Sequence, residues 1–493
     1  MSKATASEPA LAQGASAPGP TISFTRRPHA ALASAPSTEL TTMAQVQGTM
    51  EQRQSDRPPM WDGDGPAARR LSAMAGGMMG SAILKVANDV RALLAQGRSV
   101  CNLTVGDFDS RQFPIPTLLR EHIEAALRAG ETNYPPGVGV PALREAIRSY
   151  SRDLLGLDYP LDGVLVASGA RPVIYAAYRT LVDPGDRVVY SVPSWNNAYY
   201  CQLVGGRAVP VPCHAATAFQ PTRSTLEPVL RGARLLVLNS PLNPTGTVLD
   251  PQALAGICDL VLEENARRAG RERPLYLLYD QVYWMLTFRD VRHATPVALR
   301  PEIAPYTVAV DAISKSFAAT GLRVGWILGP TDLVRSMGDF IGHVGAWAPR
   351  PEQVATAALL AAREAIAEYH RHMKQELQSR LDALYRGIVA MRARGLPVDA
   401  IPPAGAMYLS ARFALTGMRT PAGEVLRTNE DIRLYLLREA AFAAVPFQAF
   451  GVDEDTGWFR LSAGAVSLAD IERVLPEVER VIKAVHAPAH QRA

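Results

Sequence analysis

Five short, unbroken apolar runs limit what this chain can fold into more than any other feature. They are Val164-Leu165-Val166-Ala167, Val188-Val189-Tyr190, Leu235-Leu236-Val237-Leu238, Leu275 to Tyr279 and Val308-Ala309-Val310. A strand with one wet face alternates apolar and polar residues, whereas a run apolar throughout has both faces covered. Segments of helical pattern, such as Pro172 to Val182 and Gln252 to Ala269, separate the runs. Strands alternating with helices predict a mainly parallel sheet between helical layers, an α/β fold. Ligands of such sheets sit at the carboxyl ends of the strands, so the polar residues after each run are the ones to examine.

Outside that block the pattern changes. Ile83 to Ala95 reads as an amphipathic helix through Ile83, Leu84, Val86, Val90, Leu93 and Leu94, and Pro116 to Gly130 as another. After Pro351 a mostly helical stretch runs to about Arg394. A smaller α+β segment follows, with Met407-Tyr408-Leu409, Asp431 to Ala444 and Trp458-Phe459-Arg460-Leu461. Met1 to Met60 holds seven prolines and a single aromatic residue, Phe24. So little apolar surface cannot offset the entropy of ordering, and residues 1–68 are expected to be a disordered extension. A transit peptide, a tether, or a true start at Met43, Met50 or Met60 are the alternatives for it.

Composition narrows the function classes. Lys and Arg number 51 against 47 Asp and Glu, with no basic block, so no nucleic-acid partner is expected. No apolar stretch approaches the roughly 18 residues of a membrane span. Cys101, Cys201, Cys213 and Cys258 are scattered, without C-x-x-C spacing or histidines at metal-ligand intervals. No metal site is expected, and a reducing, cytoplasmic setting fits best, with organellar targeting by the extension as the alternative.

Three strand-end stations carry the chemistry. Asn239-Ser-Pro-Leu-Asn243-Pro-Thr-Gly246 is a rigid polar loop that by itself reads only as a turn. Asp280 follows the run Leu275 to Tyr279, with Tyr283 three residues on. A carboxylate there either caps a helix or meets a cation or ligand. In Ser314-Lys315-Ser-Phe-Ala-Ala-Thr-Gly-Leu-Arg323 a lysine follows a buried strand among small hydroxyl residues, a setting for an amine nucleophile.

In this order and spacing the three stations resemble the class I/II aminotransferases, pyridoxal-phosphate enzymes of fold type I, over roughly residues 70 to 485. The resemblance implies a mostly parallel seven-stranded sheet sandwiched by helices, plus a smaller α+β domain. A large cofactor-binding domain would span 116–351, and a small domain would combine 69–115 with 352–493. Pyridoxal 5'-phosphate is the implied cofactor, with Lys315 holding its aldehyde as an imine and later moving the substrate proton as general base and acid. Asp280 would pair with the pyridine nitrogen, and Tyr283 and Asn243 would bond the ring oxygen O3′. Arg323, Ser314 and the backbone N–H groups of Ala170 and Arg171 would hold the phosphate. Trp195 would stack on the ring, and Tyr134 would reach the phosphate of a neighbouring subunit, implying a homodimer with a shared site. Gly106, Asn243 and Arg460 would take the substrate carboxylate.

The match departs from the family in two places. Ala312 stands three before Lys315, where many members have Ser or Gly, and Asp107 is followed by Phe108 rather than Pro. For the substrate, the resemblance implies an L-amino acid and a 2-oxo acid such as 2-oxoglutarate. Arg171 replaces a lysine that binds a side-chain carboxylate in some members, which favours aspartate, although it could equally support the helix start or face solvent. His343, Trp347 and Arg350 fall where members line the pocket. Trp347 argues for aromatic or apolar donors, so that preference and a carbon–sulfur β-lyase stay as alternatives. A DNA-binding regulator lacks its helix-turn-helix in residues 1–68.

Overall fold

In the computed structural model, which describes residues 71–486 apart from 79 and 81, the apolar runs become strands of one seven-stranded sheet. The extension expected over residues 1–68 lies outside the described residues. Across the sheet the order is Val164–Ala167, Gly325–Leu328, Thr307–Ala312, Tyr276–Asp280, Ala233–Asn239, Arg187–Val192 and Arg207–Pro212. All neighbours are parallel except Gly325–Leu328, which runs against both of its partners. Two further strands were not among the runs singled out in the sequence. Arg207–Pro212 is a largely exposed edge strand carrying Pro210 and Pro212, residues that a central strand would not accept. Gly325–Leu328 is buried but only four residues long.

Alternation along the central strands decides which residues reach the site. Leu235, Val237, Leu278, Val308 and Val310 pack on one face, beneath the helices Ala170–Leu181 and Thr331–Val344. Leu236, Leu238, Leu277, Tyr279 and Ala309 pack on the other, under Pro141–Leu155, Arg223–Leu230, Pro251–Arg268 and Arg350–Ala361. Period two therefore carries Asn239 and Asp280, each two residues beyond a first-face leucine or valine, onto that same face. They stand side by side, since Asn239 pairs with Asp280 in the register.

A second, antiparallel sheet has the order Val445–Pro446, Trp458–Ser462, Tyr408–Phe413 and Val398–Ala400. The helices Arg363–Ala393 and Leu468–Ala484 bury Leu381, Leu384, Val474 and Val478 in the same apolar cluster as this sheet. The expected long helical stretch thus breaks at Ala362 into two helices. Asp431 to Ala444 spans most of the helix Asn429–Ala440 and the short strand Phe442–Ala443, which pairs in parallel with Cys101–Asn102. That pairing, and the Ser462 N–H donating to the Leu103 carbonyl at 2.8 Å, anchors Leu103 to Asp107 beside the second sheet. Among the described residues no helix is long and apolar enough to cross a membrane, and all four cysteines are buried and free.

Candidate active site

A cavity of about 510 Å³ opens at the carboxyl ends of the central strands. Its charged lining consists of Asp107, Arg171, Asp280, Lys315, Arg323 and Arg460. Four cations against two carboxylates, in a partly desolvated space, attract a ligand with several negative groups.

The first wall belongs to the large sheet. The loop after Ala233–Asn239 is fixed by its own side chain, because Asn239 Oδ1 accepts from the Asn243 N–H at 2.9 Å while its Nδ2 donates to the Asp280 carbonyl at 2.9 Å. Gly246 ends this loop at φ 71°, where an added Cβ would lie 1.9 Å from the Tyr408 carbonyl oxygen, so only glycine lets the loop dock on the second sheet. Asp280 is followed by a turn, not a helix, and its Oδ1 accepts from the Val282 N–H at 3.2 Å. Burial pushes its carboxyl up to about 6. Lys315 lies in the turn Ile313–Ser316 directly after Thr307–Ala312, and its Nζ donates to the Gly106 carbonyl at 2.6 Å. Burial pulls its amine down to about 8; Asp107 opposes that shift, and Arg460, Arg171 and Arg323 reinforce it.

At the base of this wall the helix Ala170–Leu181 starts with no side-chain cap. Ala170 and Arg171 line the cavity, and as the first residues of the helix their N–H groups have no acceptor within it. Gly169, at φ 92°, would set an added Cβ 2.3 Å from Arg323 Nη2. The bare backbone therefore lets the guanidinium lie against the helix start. Arg323 is braced there by donating to the carbonyls of Thr320 at 2.6 Å and Ser168 at 3.1 Å.

The second wall comes from the second sheet and its neighbour strand. Arg460, 1% exposed, donates to Asn243 Oδ1 at 3.1 Å and to the Thr104 carbonyl at 2.7 Å, while its Nε has no partner. Its guanidinium lies over the rings of Tyr408 and Phe450, 4.7 and 4.8 Å from their centroids.

All the expected site residues except one line this cavity: Gly106, Ala170, Arg171, Trp195, Asn243, Asp280, Tyr283, Ser314, Lys315, Arg323 and Arg460. Tyr134 does not. It is 83% exposed and meets Trp347 edge-on at 5.3 Å. His343, Trp347 and Arg350 also stay away from the cavity, because the helix Thr331–Val344 carries His343 to a separate surface depression and Arg350 pairs with Glu131. Arg171 lies over the Trp195 ring at 5.3 Å.

Sequence reasoning missed several lining groups. Tyr408 hid inside an apolar strand, although its hydroxyl lies 2.7 Å from that of Tyr283. Asp107 accepts from the Thr320 hydroxyl with both oxygens, at 2.8 and 2.9 Å. Its place next to Gly106 was the available signal. Asn197 and Tyr200 lie on a helix of weak amphipathic pattern, Asn197–Val204, that gave none.

The family model described as aminotransferase class I and II matches residues 98–478. The aspartate aminotransferase of Rhizobium meliloti (strain 1021) is 30% identical over 403 residues, covering 81% of this chain and 92% of the relative. That of Geobacillus stearothermophilus is 30% identical over 420 residues, covering 84% and 99%. Among solved structures, an aspartate aminotransferase from Rhizobium meliloti superposes with a TM-score of 0.77 at 28% identity, covering 86% of this chain and all of that one.

Proposed function

The chain belongs to the class I and II aminotransferases, enzymes that move an amino group between an amino acid and a 2-oxo acid, and from that premise we propose that it binds pyridoxal 5'-phosphate and takes aspartate as its amino donor. The observation that carries the reading is the charge order in one cavity: a buried amine, a facing unpaired carboxylate, and three separate arginines.

The residues present fit the cofactor. The helix start at Ala170 and Arg171, the Arg323 guanidinium and the Ser314 hydroxyl make an anion seat at one end, and Gly169 keeps it clear of a Cβ. Asp280, whose proton affinity is raised by burial without a cation beside it, would lower again on meeting a protonated ring nitrogen. Trp195 would cover a ring face, and Tyr283 and Asn243 would donate to the ring hydroxyl oxygen. When bound, the cofactor supplies an aldehyde that holds the amino group and a ring that accepts the electron pair released at the α-carbon.

This chain's own residues do the rest. Lys315 Nζ, whose amine burial pulls down to about 8 and so nearer to neutrality than an ordinary lysine, would take the α-proton and return it to the cofactor's aldehyde carbon. Arg460, Asn243 and the Gly106 backbone hold the α-carboxylate. The bidentate fork of Arg460 fixes the substrate plane, and its buried position keeps water out. Arg171, across the cavity, is the cation for a side-chain carboxylate, which favours aspartate over alanine or phenylalanine. A homodimer completes the arrangement: Tyr134, exposed and edge-on to Trp347, is available to the phosphate seat of a second copy.

The test is a single-turnover spectral scan of the cofactor-loaded protein against individual amino acids with no oxo acid present. Conversion of the visible band to that of the amine form of the cofactor, fastest with aspartate, is the expected result. Release of pyruvate or ammonia with the band restored would instead make the protein a lyase.

A further inference from the structure

We propose that Tyr408 is a positioning residue that ties the two walls together: its hydroxyl sets the direction of the Tyr283 proton, and its ring face holds the Arg460 guanidinium. The inference rests on the reading above, in which Tyr283 donates into the cavity and Arg460 takes a carboxylate.

The hydroxyl pair carries the first half. Tyr408 Oη and Tyr283 Oη are 2.7 Å apart, and both side chains are buried. Between two phenols one donates and one accepts. For Tyr283 to spend its only proton on a ligand in the cavity, it must accept from Tyr408. An added Cβ on Gly106 would lie 3.2 Å from Tyr408 Oη, so the backbone that receives the Lys315 amine also packs against this hydroxyl.

The ring carries the second half. Ser410 pairs with Arg460 and Tyr408 with Ser462, so Tyr408 and Arg460 project from the same face of the antiparallel pair as diagonal neighbours. With Phe450 as a second aromatic neighbour, the guanidinium is held by two ring faces that use none of its N–H groups. Its donors remain free for Asn243, Thr104 and a ligand. One side chain thereby aligns a proton donor and a carboxylate clamp that belong to different sheets.

Two variants of the cofactor-loaded enzyme separate the halves. The readouts are the pH midpoint of the visible band of the Lys315-bound cofactor and the dissociation constant of succinate, a dicarboxylate with no amino group to transfer. Tyr408→Phe keeps the ring and loses the hydroxyl. Its band midpoint should rise by about half a pH unit or more, because Tyr283 loses the partner that orients its donor. Its succinate affinity should stay within about twofold of wild type, whereas Tyr408→Leu should bind succinate about tenfold more weakly. Adding Tyr408→Phe to Tyr283→Phe should leave the midpoint where Tyr283→Phe alone puts it, which a merely structural role would not do. This cycle decides the case if Tyr408→Leu fails to fold. A wild-type band that titrates normally, with Tyr408→Phe titrating identically, overturns the inference alone. A wild type with no such band overturns the functional reading and the inference with it.

Discussion

On the wall built by the seven-stranded sheet, Asn239, Asp280 and Lys315 each stand at or within three residues of a strand end, whereas the opposite wall joins Gly106 to Tyr408 and Arg460, which lie some three hundred positions or more further along the chain. The first wall is aimed by chain direction. Parallel strands deliver their last residues to one edge, and the alternation of Leu278 and Asp280 does the rest. The second wall is aimed by pairing between distant strands, with Arg460 reaching the Thr104 carbonyl across 356 positions. In the function proposed above, the chemistry of bond making would fall to the first wall and the choice and orientation of substrate to the second, with Arg171 as a first-wall residue given a substrate role.

The division can be broken by substitution, and the largest effect belongs to the first wall. Lys315→Ala should abolish both turnover and the visible band of the bound cofactor, since among the described residues no other amine lines the cavity. Turnover near wild type would remove Lys315 from the centre. Arg460→Lys, on the second wall, should lower kcat/KM about a hundredfold for every amino donor alike, because an ammonium cannot make the paired contact and all donors share the α-carboxylate. A loss confined to one donor would mean that Arg460 reads side chains instead. Arg171→Ala should raise KM for aspartate about tenfold while leaving that for alanine nearly unchanged. Equal changes for both would take Arg171 out of the specificity argument.

The smallest effect sharpens the contrast without any catalysis. Burial holds the Asp280 proton up to about 6, above the ordinary carboxylate range, so the folded chain binds that proton more tightly than the unfolded one. The stability it contributes is complete below that range and is lost as pH rises through about 6. Cofactor-free Asp280→Asn should therefore melt about 2–4 °C above wild type at pH 8 and close to it near pH 4. Equal melting at both values would show that Asp280 has a counterion in the folded chain.

The same contrast explains what could be read in advance. Asn243, Asp280, Lys315 and Arg323 were legible because their chemistry lies in short polar breaks after apolar runs, where nothing else accounts for them. Arg460 and Gly106 were legible only through resemblance. Tyr408 was not legible at all: Met407-Tyr408-Leu409 reads as core, and the partner that gives its hydroxyl a purpose is Tyr283, 125 positions away. Trp347 and Arg350 stand apart from this chain's cavity for a related reason. Their spacing from Lys315 says nothing of where the helix Thr331–Val344 carries the chain, and the structure takes them to the surface side near Tyr134 and Glu131.

The one antiparallel strand of the seven-stranded sheet has a consequence for how this enzyme can vary. Because Gly325–Leu328 returns alongside Thr307–Ala312, with Ala312 opposite Gly325, the chain leaves and re-enters the sheet at the same edge. The Ile313 N–H closes the mouth of that excursion on the Val324 carbonyl at 3.1 Å. The excursion is thus a ruler of fixed length, whose graduations set the amine of Lys315 against the guanidinium of Arg323. Gly321 at its tip, exposed and with open space where a Cβ would stand, is free to change. The residue count of the excursion is not, since one insertion would put the reacting amine and the anion seat out of step while leaving every residue of both in place.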